Sequence, residues 1–219
     1  MKVALFLTLS VFLTRLIPFS EFFRNVDTLI HELFHAVTAL LLSGEVMFIH
    51  LYADQSGLAY TSYSSVWKGA LISLAGYAGS SLFAVLLFGL HARKREKAGL
   101  ILMAFVAVLA LALFVRNGYG MAWCAGFAML TVAILAFNRP WLSRIYYLLI
   151  AFICLVESVI SSLILLAIAA QNPGAAGDAA NLSRFTDVPA LFWAGFFVVF
   201  SLVCARLSIK IFYKRGFNS

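Results

Sequence analysis

Charge is what this sequence has least of. Only 11% of its 219 residues are Asp, Glu, Lys or Arg, while 63% are hydrophobic. Soluble domains carry ~25% charged residues. With a mean hydropathy of +0.99, the chain lies far outside the soluble range and reads as a polytopic membrane protein with no room for a separate soluble domain. Its charge is also one-sided, 16 basic against 9 acidic residues for a net +7. The basic residues are scattered over loops between apolar runs, so they report orientation and give no footprint for nucleic acid. Cysteine is scarce: Cys124, Cys154 and Cys204 each sit in an apolar run, without C-x-x-C spacing, and no thiol chemistry is assigned to them. Histidine is scarcer than it looks, because two of the four fall within five residues of each other.

A spanning helix needs ~20 mostly apolar residues. The apolar runs predict an all-α membrane protein of about six to seven transmembrane helices, at about residues 3–19, 21–42, 66–90, 98–115, 119–137, 145–170 and 190–212. The first run carries Arg15, ends near Pro18 and has no small-residue cleavage site after it, so it reads as retained. Residues 45–66 break the helical pattern. Two β-prone runs, Val46 to Tyr52 and Leu58 to Tyr63, flank the turn Asp54-Gln55-Ser56-Gly57. This predicts a short β-hairpin after the second helix. In the third helix, Gly76 and Ser80 are four apart and offer a small-residue face for a neighbouring helix. Residues 171–189 form a Gly- and Pro-containing loop in which Asp178 can cap a short helix. The whole reads as one integral membrane domain, residues 1–219.

Within the second helix stands His31-Glu32-Leu33-Phe34-His35. Two histidines and a glutamate in an apolar helix are expensive, which argues against accident. Positions i and i+4 share one helix face, ~6 Å apart along the axis. His31 and His35 can therefore present two imidazoles to one Zn²⁺, and Glu32 sits beside them as a general base and acid. A catalytic zinc takes three protein ligands and keeps a fourth position open. His50 and His91 lie in or beside loops, so a carboxylate is the economical third ligand. Asp178 ranks first, at the mouth of a loop that can fold back between helices, ahead of Glu157, Asp187 and Asp54. Glu157 has Arg15 and Arg206 as possible ion-pair partners, since both also lie in apolar runs.

These features resemble the site-two protease family of intramembrane zinc metalloproteases, and its small bacterial M-fifty-B-like branch in particular. The resemblance covers about residues 20–190. It rests on His31-Glu32-Leu33-Phe34-His35, on Ser56-Gly57-Leu58 in the hairpin, on Ala75-Gly76-Tyr77-Ala78-Gly79, and on Asp178-Ala179-Ala180-Asn181-Leu182 ahead of Thr186 and Pro189. In that family the third ligand is the Asp of an Asp-Gly pair that follows an Asn/Pro stretch. Here Asn172 and Pro173 precede Asp178, and Ala179 replaces the glycine. The resemblance implies a zinc metalloendopeptidase of the bacterial cell membrane, which cleaves membrane protein or peptide substrates within the lipid bilayer. His31, His35 and Asp178 would be its metal ligands, Glu32 its catalytic residue, and the hairpin would receive substrate as an added strand.

Orientation has two readings. Alternating seven spans places Arg24, Arg93, Lys94, Arg95, Lys97, Arg139, Arg144, Lys210, Lys214 and Arg215 on one side. The positive-inside rule makes that side cytoplasmic and puts the hairpin and Asp178 outside. The resemblance implies a site open to the cytosol. As for other functions, a catalytically silent scaffold or binding protein has no use for Glu32. A metal-ion transporter would show a second copy of the motif helix, and a membrane cytochrome would face histidines from different helices.

Overall fold

The computed structural model describes residues 20–216. The expected first helix, residues 3–19, lies outside the described residues, and Arg15 with it. The described chain runs α1 (Ser20–Leu41), β1 (Glu45–Leu51), β2 (Gly57–Ser62), α2 (Val66–Ala92), α3 (Glu96–Leu113), α4 (Gly118–Ala136), α5 (Pro140–Gln171), a 3₁₀ turn (Pro173–Ala175), α6 (Gly177–Thr186) and α7 (Ala190–Gly216). The protein is an α-helical polytopic membrane protein with one antiparallel hairpin. Five helices, α2, α3, α4, α5 and α7, are long and apolar enough to cross a membrane. The motif helix α1 has the length, 22 residues, but Glu21, Arg24, Asp27 and Glu32 keep it out of that set. It is polar along one side because that side is covered by α2, α5 and the hairpin.

One boundary differs from expectation. α5 begins at Pro140 rather than near Ile145. Proline is at home in the first turn of a helix, where its missing N–H has no partner to lose. A second difference concerns Asp178. It stands inside the first turn of α6 while Ala176 occupies the cap position, and Gly177 takes φ 42° at the junction.

The hairpin pairs Glu45 with Ser62 and Leu51 with Gly57, with a bulge between Val46 and Phe48. Its outer edge on β1 is covered. Ile49 N–H donates to the Phe114 carbonyl at 2.8 Å, and Arg116 N–H donates to the Ile49 carbonyl at 3.1 Å. The Asn117 side chain holds both backbone groups of Leu51, at 3.1 and 2.6 Å. No strand pairs with the far edge of β2 among the described residues.

The main apolar core lies between α1, α2, α3, α4 and α5, around Leu87, Phe88, Leu100, Phe127 and Tyr147. Two polar ties fix α1 against α4: the Trp123 indole donates to the Phe22 carbonyl at 2.8 Å, and the Asn25 amide donates to the Tyr119 hydroxyl at 2.7 Å. A smaller core of Leu165, Ala169, Ala179, Leu182 and Phe197 clamps the short α6 between α5 and α7. The turns opposite the hairpin meet one another. The Lys97 ammonium donates to Asn138 at 3.0 Å, and His91 stacks on Phe212 with centroids 5.5 Å apart. The two ends of the bundle are thus chemically different. The end remote from the hairpin gathers Arg93, Lys94, Arg95, Lys97, Arg139 and Arg144.

Candidate metal centre

The apolar residues Val26, Leu29, Ile30, Leu33 and Ala36 recur at helical spacing and bury one face of α1. That burial fixes the rotation of the helix and turns His31 and His35 toward α2 and α6. The His35 Nδ1–H donates to the Ile72 carbonyl of α2 at 2.6 Å. This bond sets the tautomer and leaves Nε2 with its lone pair turned into the site. The two histidine Nε2 atoms lie 3.0 Å apart. Asp178 Oδ2, brought in by α6, lies 3.2 Å from each of them. Burial by itself would raise the Asp178 carboxyl, but His35 and His31 beside it outweigh burial and hold it below the usual carboxylate range.

Two nitrogens and one carboxylate oxygen are a donor set that zinc accepts. Donors ~2.0–2.1 Å from a tetrahedral ion are ~3.3 Å from one another, so the observed separations match one shared ion. The space is kept by Gly76 of α2. A Cβ there would lie 2.5 Å from His35 Nε2 and 2.6 Å from His31 Nε2. The glycine is needed for close approach, because any side chain would occupy the point where the donors converge. Gly79 does the same for the Phe34 ring. Gly76 and Ser80 of the expected small-residue face are both buried, and Gly79 stands between them against Phe34.

Glu32 points the other way round α1, at the hairpin. It is buried, and its carboxylate lies against β2. A Cβ on Gly57 would lie 2.6 Å from Glu32 Oε1. Thr28 on the same helix donates to the Gln55 carbonyl at 2.9 Å and pins the hairpin turn. The histidines, Glu32, Asp178 and β2 together line a cavity of about 520 Å³, shared with Asp27, Tyr77, Ser161, Asn181 and Phe185. Tyr77 packs its ring edge-on against His31 at 4.6 Å.

A family model described as Peptidase M50B-like matches residues 2–208. The chain belongs to this family. That agrees with the site-two protease resemblance carried by the motifs. No curated protein and no solved structure matches the chain.

In this M50B-like chain the four carboxylates weighed as a third donor have separate fates. Asp178 joins the histidines. Glu157 is held by Arg24, with Nε 2.8 Å from Oε1 and Nη2 3.2 Å from Oε2. The expectation named Arg15 and Arg206; the packing of α1 on α5 supplies Arg24 to this pair, while Arg206 is exposed. Asp54 is exposed at the hairpin tip, where the Ser56 hydroxyl and N–H bond it at 2.6 and 3.0 Å and lower its carboxyl. Asp187 ends α6 in the left-handed conformation, φ 58°. Sequence reasoning gave no site role to Asp27, Tyr77 or Asn181. Tyr77 and Asn181 stand in the segments that carry the family resemblance, and Asp27 lies four residues before His31, hence on the same face of α1.

Proposed function

We propose that this protein is an intramembrane zinc metalloendopeptidase that hydrolyses peptide bonds of membrane-embedded proteins or peptides. The observation that supports it is convergence: three donor atoms within 3.2 Å of one another, a buried glutamate and a strand edge that no other strand pairs among the described residues all face one cavity. His31, His35 and Asp178 would hold the ion. When bound, the metal supplies a Lewis acid that polarises the scissile carbonyl and acidifies water. Glu32, one residue from the first histidine, accepts a proton from the attacking water and returns it to the leaving amine. Ile72 keeps His35 in the tautomer that leaves Nε2 free.

Substrate lies along β2. Ile49 spends its backbone groups on the α3–α4 turn and Leu51 on Asn117. Their hairpin partners Ala59 and Gly57 are then the residues whose backbone groups point away from β1, toward the cavity. An unwound stretch of substrate adds to this edge as a third strand. The substrate helix has to open first, because a helical peptide bond is shielded by its own hydrogen bonds.

The test is cleavage of a model transmembrane peptide by the purified, reconstituted protein, compared with Glu32→Gln. The expected result is a loss of roughly 10²–10⁴-fold in rate with metal content unchanged. A Glu32→Gln variant that cleaves at the wild-type rate removes the glutamate, and the mechanism with it.

A further inference from the structure

Asp27 is the one acidic group of the cavity that this mechanism does not use. It lies one turn before His31 on α1, is only 6% exposed, and lines the cavity. Its Oδ1 has no hydrogen-bond partner among the described residues. An unpartnered carboxylate oxygen in a buried setting is costly, and such groups in membrane proteins mark functional positions. The nearby cation does not answer it. The Arg24 guanidinium spends Nε and Nη2 on Glu157. Among the described residues the cavity lining includes Asp27, Glu32 and Asp178 but no Lys or Arg. Glu32 lies against β2, and Asp178 is shared by the two histidines. The Asp27 carboxyl lines the space through which a bound polypeptide would run.

We propose that Asp27 forms a subsite for a cationic side chain, lysine or arginine, of the polypeptide held in the cavity. This rests on the reading of the cavity as a substrate site, and it makes Asp27 a specificity-determining residue. The chemistry is a charge-assisted hydrogen bond out of bulk water, stronger than a neutral one. It selects membrane segments whose apolar run is bounded by Lys or Arg, a common arrangement at membrane surfaces. An uncharged isostere in place of the lysine leaves the Asp27 oxygen unpaired, so the discrimination is built into the site.

The experiment measures binding, so that it stands apart from catalysis. Zinc-loaded Glu32→Gln protein in detergent is titrated with a set of fluorescent transmembrane peptides, identical except for one residue scanned as Lys or norleucine across the apolar boundary. At one register the Lys peptide is expected to bind roughly tenfold or more tighter than its norleucine counterpart. That preference disappears when Asp27→Asn is added and survives when Asp27→Glu is added instead, while the norleucine peptide binds all three proteins alike. Equal zinc content in the three proteins confirms that the Asn variant is folded. A Lys preference unchanged by Asp27→Asn, or no Lys preference at any register, overturns the subsite. Wild-type protein that discriminates Lys in binding yet cleaves no peptide in the set defeats the peptidase reading and leaves the subsite standing.

Discussion

Among the described residues two places bring a histidine against a carboxylate, and one of them has the makings of a metal centre. At the hairpin end, His31 and His35 present two Nε2 atoms and Asp178 one oxygen, all three turned into a cavity that Gly76 keeps open. At the basic end, His91 Nδ1 lies 3.1 Å from Glu96 Oε1, the same contact by distance. There the carboxylate also has a cation, Arg144 Nε at 3.7 Å, and the imidazole is covered by the Phe212 ring. Contact between the two residue types is thus uninformative. What separates the ends is whether donor lone pairs remain, and whether they converge on space. A carboxylate paired with an arginine has spent its charge on the protein; Asp178 instead shares one oxygen with two imidazole nitrogens turned into the same space.

The largest expected effect breaks the likeness between the two histidines. His35→Ala removes one of three donors and is expected to take the metal content of purified protein from about one ion per chain to near none, because three protein ligands are the minimum for such a site. His91→Ala is expected to leave the metal content at the wild-type level. Elemental analysis of both variants reads this directly. Metal lost from the two alike would mean that the basic end supports the site through the fold, and the distinction drawn between them would collapse.

Much of this architecture is legible in the sequence because its causes are local. The helices follow from apolar runs of the right length, the hairpin from β-prone runs flanking Asp54-Gln55-Ser56-Gly57, and the motif from i, i+4 spacing. What was not legible depends on which helices become neighbours and how each is rotated. Arg24 reaches Glu157 across 133 residues of sequence, and no periodicity encodes that pairing. Asp178 needs α6 folded back between α5 and α7 before it lies near the histidines, a placement made by the small core around Ala179 and Leu182. Gly76 reads as an ordinary packing residue until α1 is laid against it with both imidazoles facing inward. Asp27 is one more acidic residue of a helix by sequence, and its unpartnered oxygen exists only in three dimensions.

Two glycines of the same helix sharpen the difference between the ends by steric means. Gly76→Ala places a methyl group within 2.6 Å of both Nε2 atoms. The rings cannot simply turn aside, since His35 is anchored to Ile72. A weakening of metal affinity of roughly 10- to 100-fold is expected, comparable to disturbing the groups that orient ligands. Gly89, toward the basic end of the same helix, has nothing within 4 Å of its would-be Cβ. Gly89→Ala is expected to leave metal affinity alone and to stabilise the helix by about 0.5–1 kcal/mol, the usual gain for replacing a helical glycine. Competition with a chromogenic chelator measures the first, and thermal unfolding in detergent the second. Equal metal affinity in the two variants would show that α2 does not shape the space between the donors.

The smallest effect is expected from Arg144→Ala. The side chain is 58% exposed and its Nε is 3.7 Å from Glu96, so its pairing is screened and worth about 0–1 kcal/mol. Glu96 keeps His91 at 3.1 Å after the change, and the buried carboxylate is not stranded. Metal content should be untouched and the unfolding temperature shifted by little. A large loss of stability would carry a definite meaning. It would show that Glu96 needs a full positive charge, that the basic end is a tightly coupled ion cluster, and that the His91 imidazole alone does not balance the carboxylate there. The site end would then differ in kind as well as degree, because among the described residues its carboxylate meets the two histidines and no arginine, and the charge it needs would come from a cation bound between them.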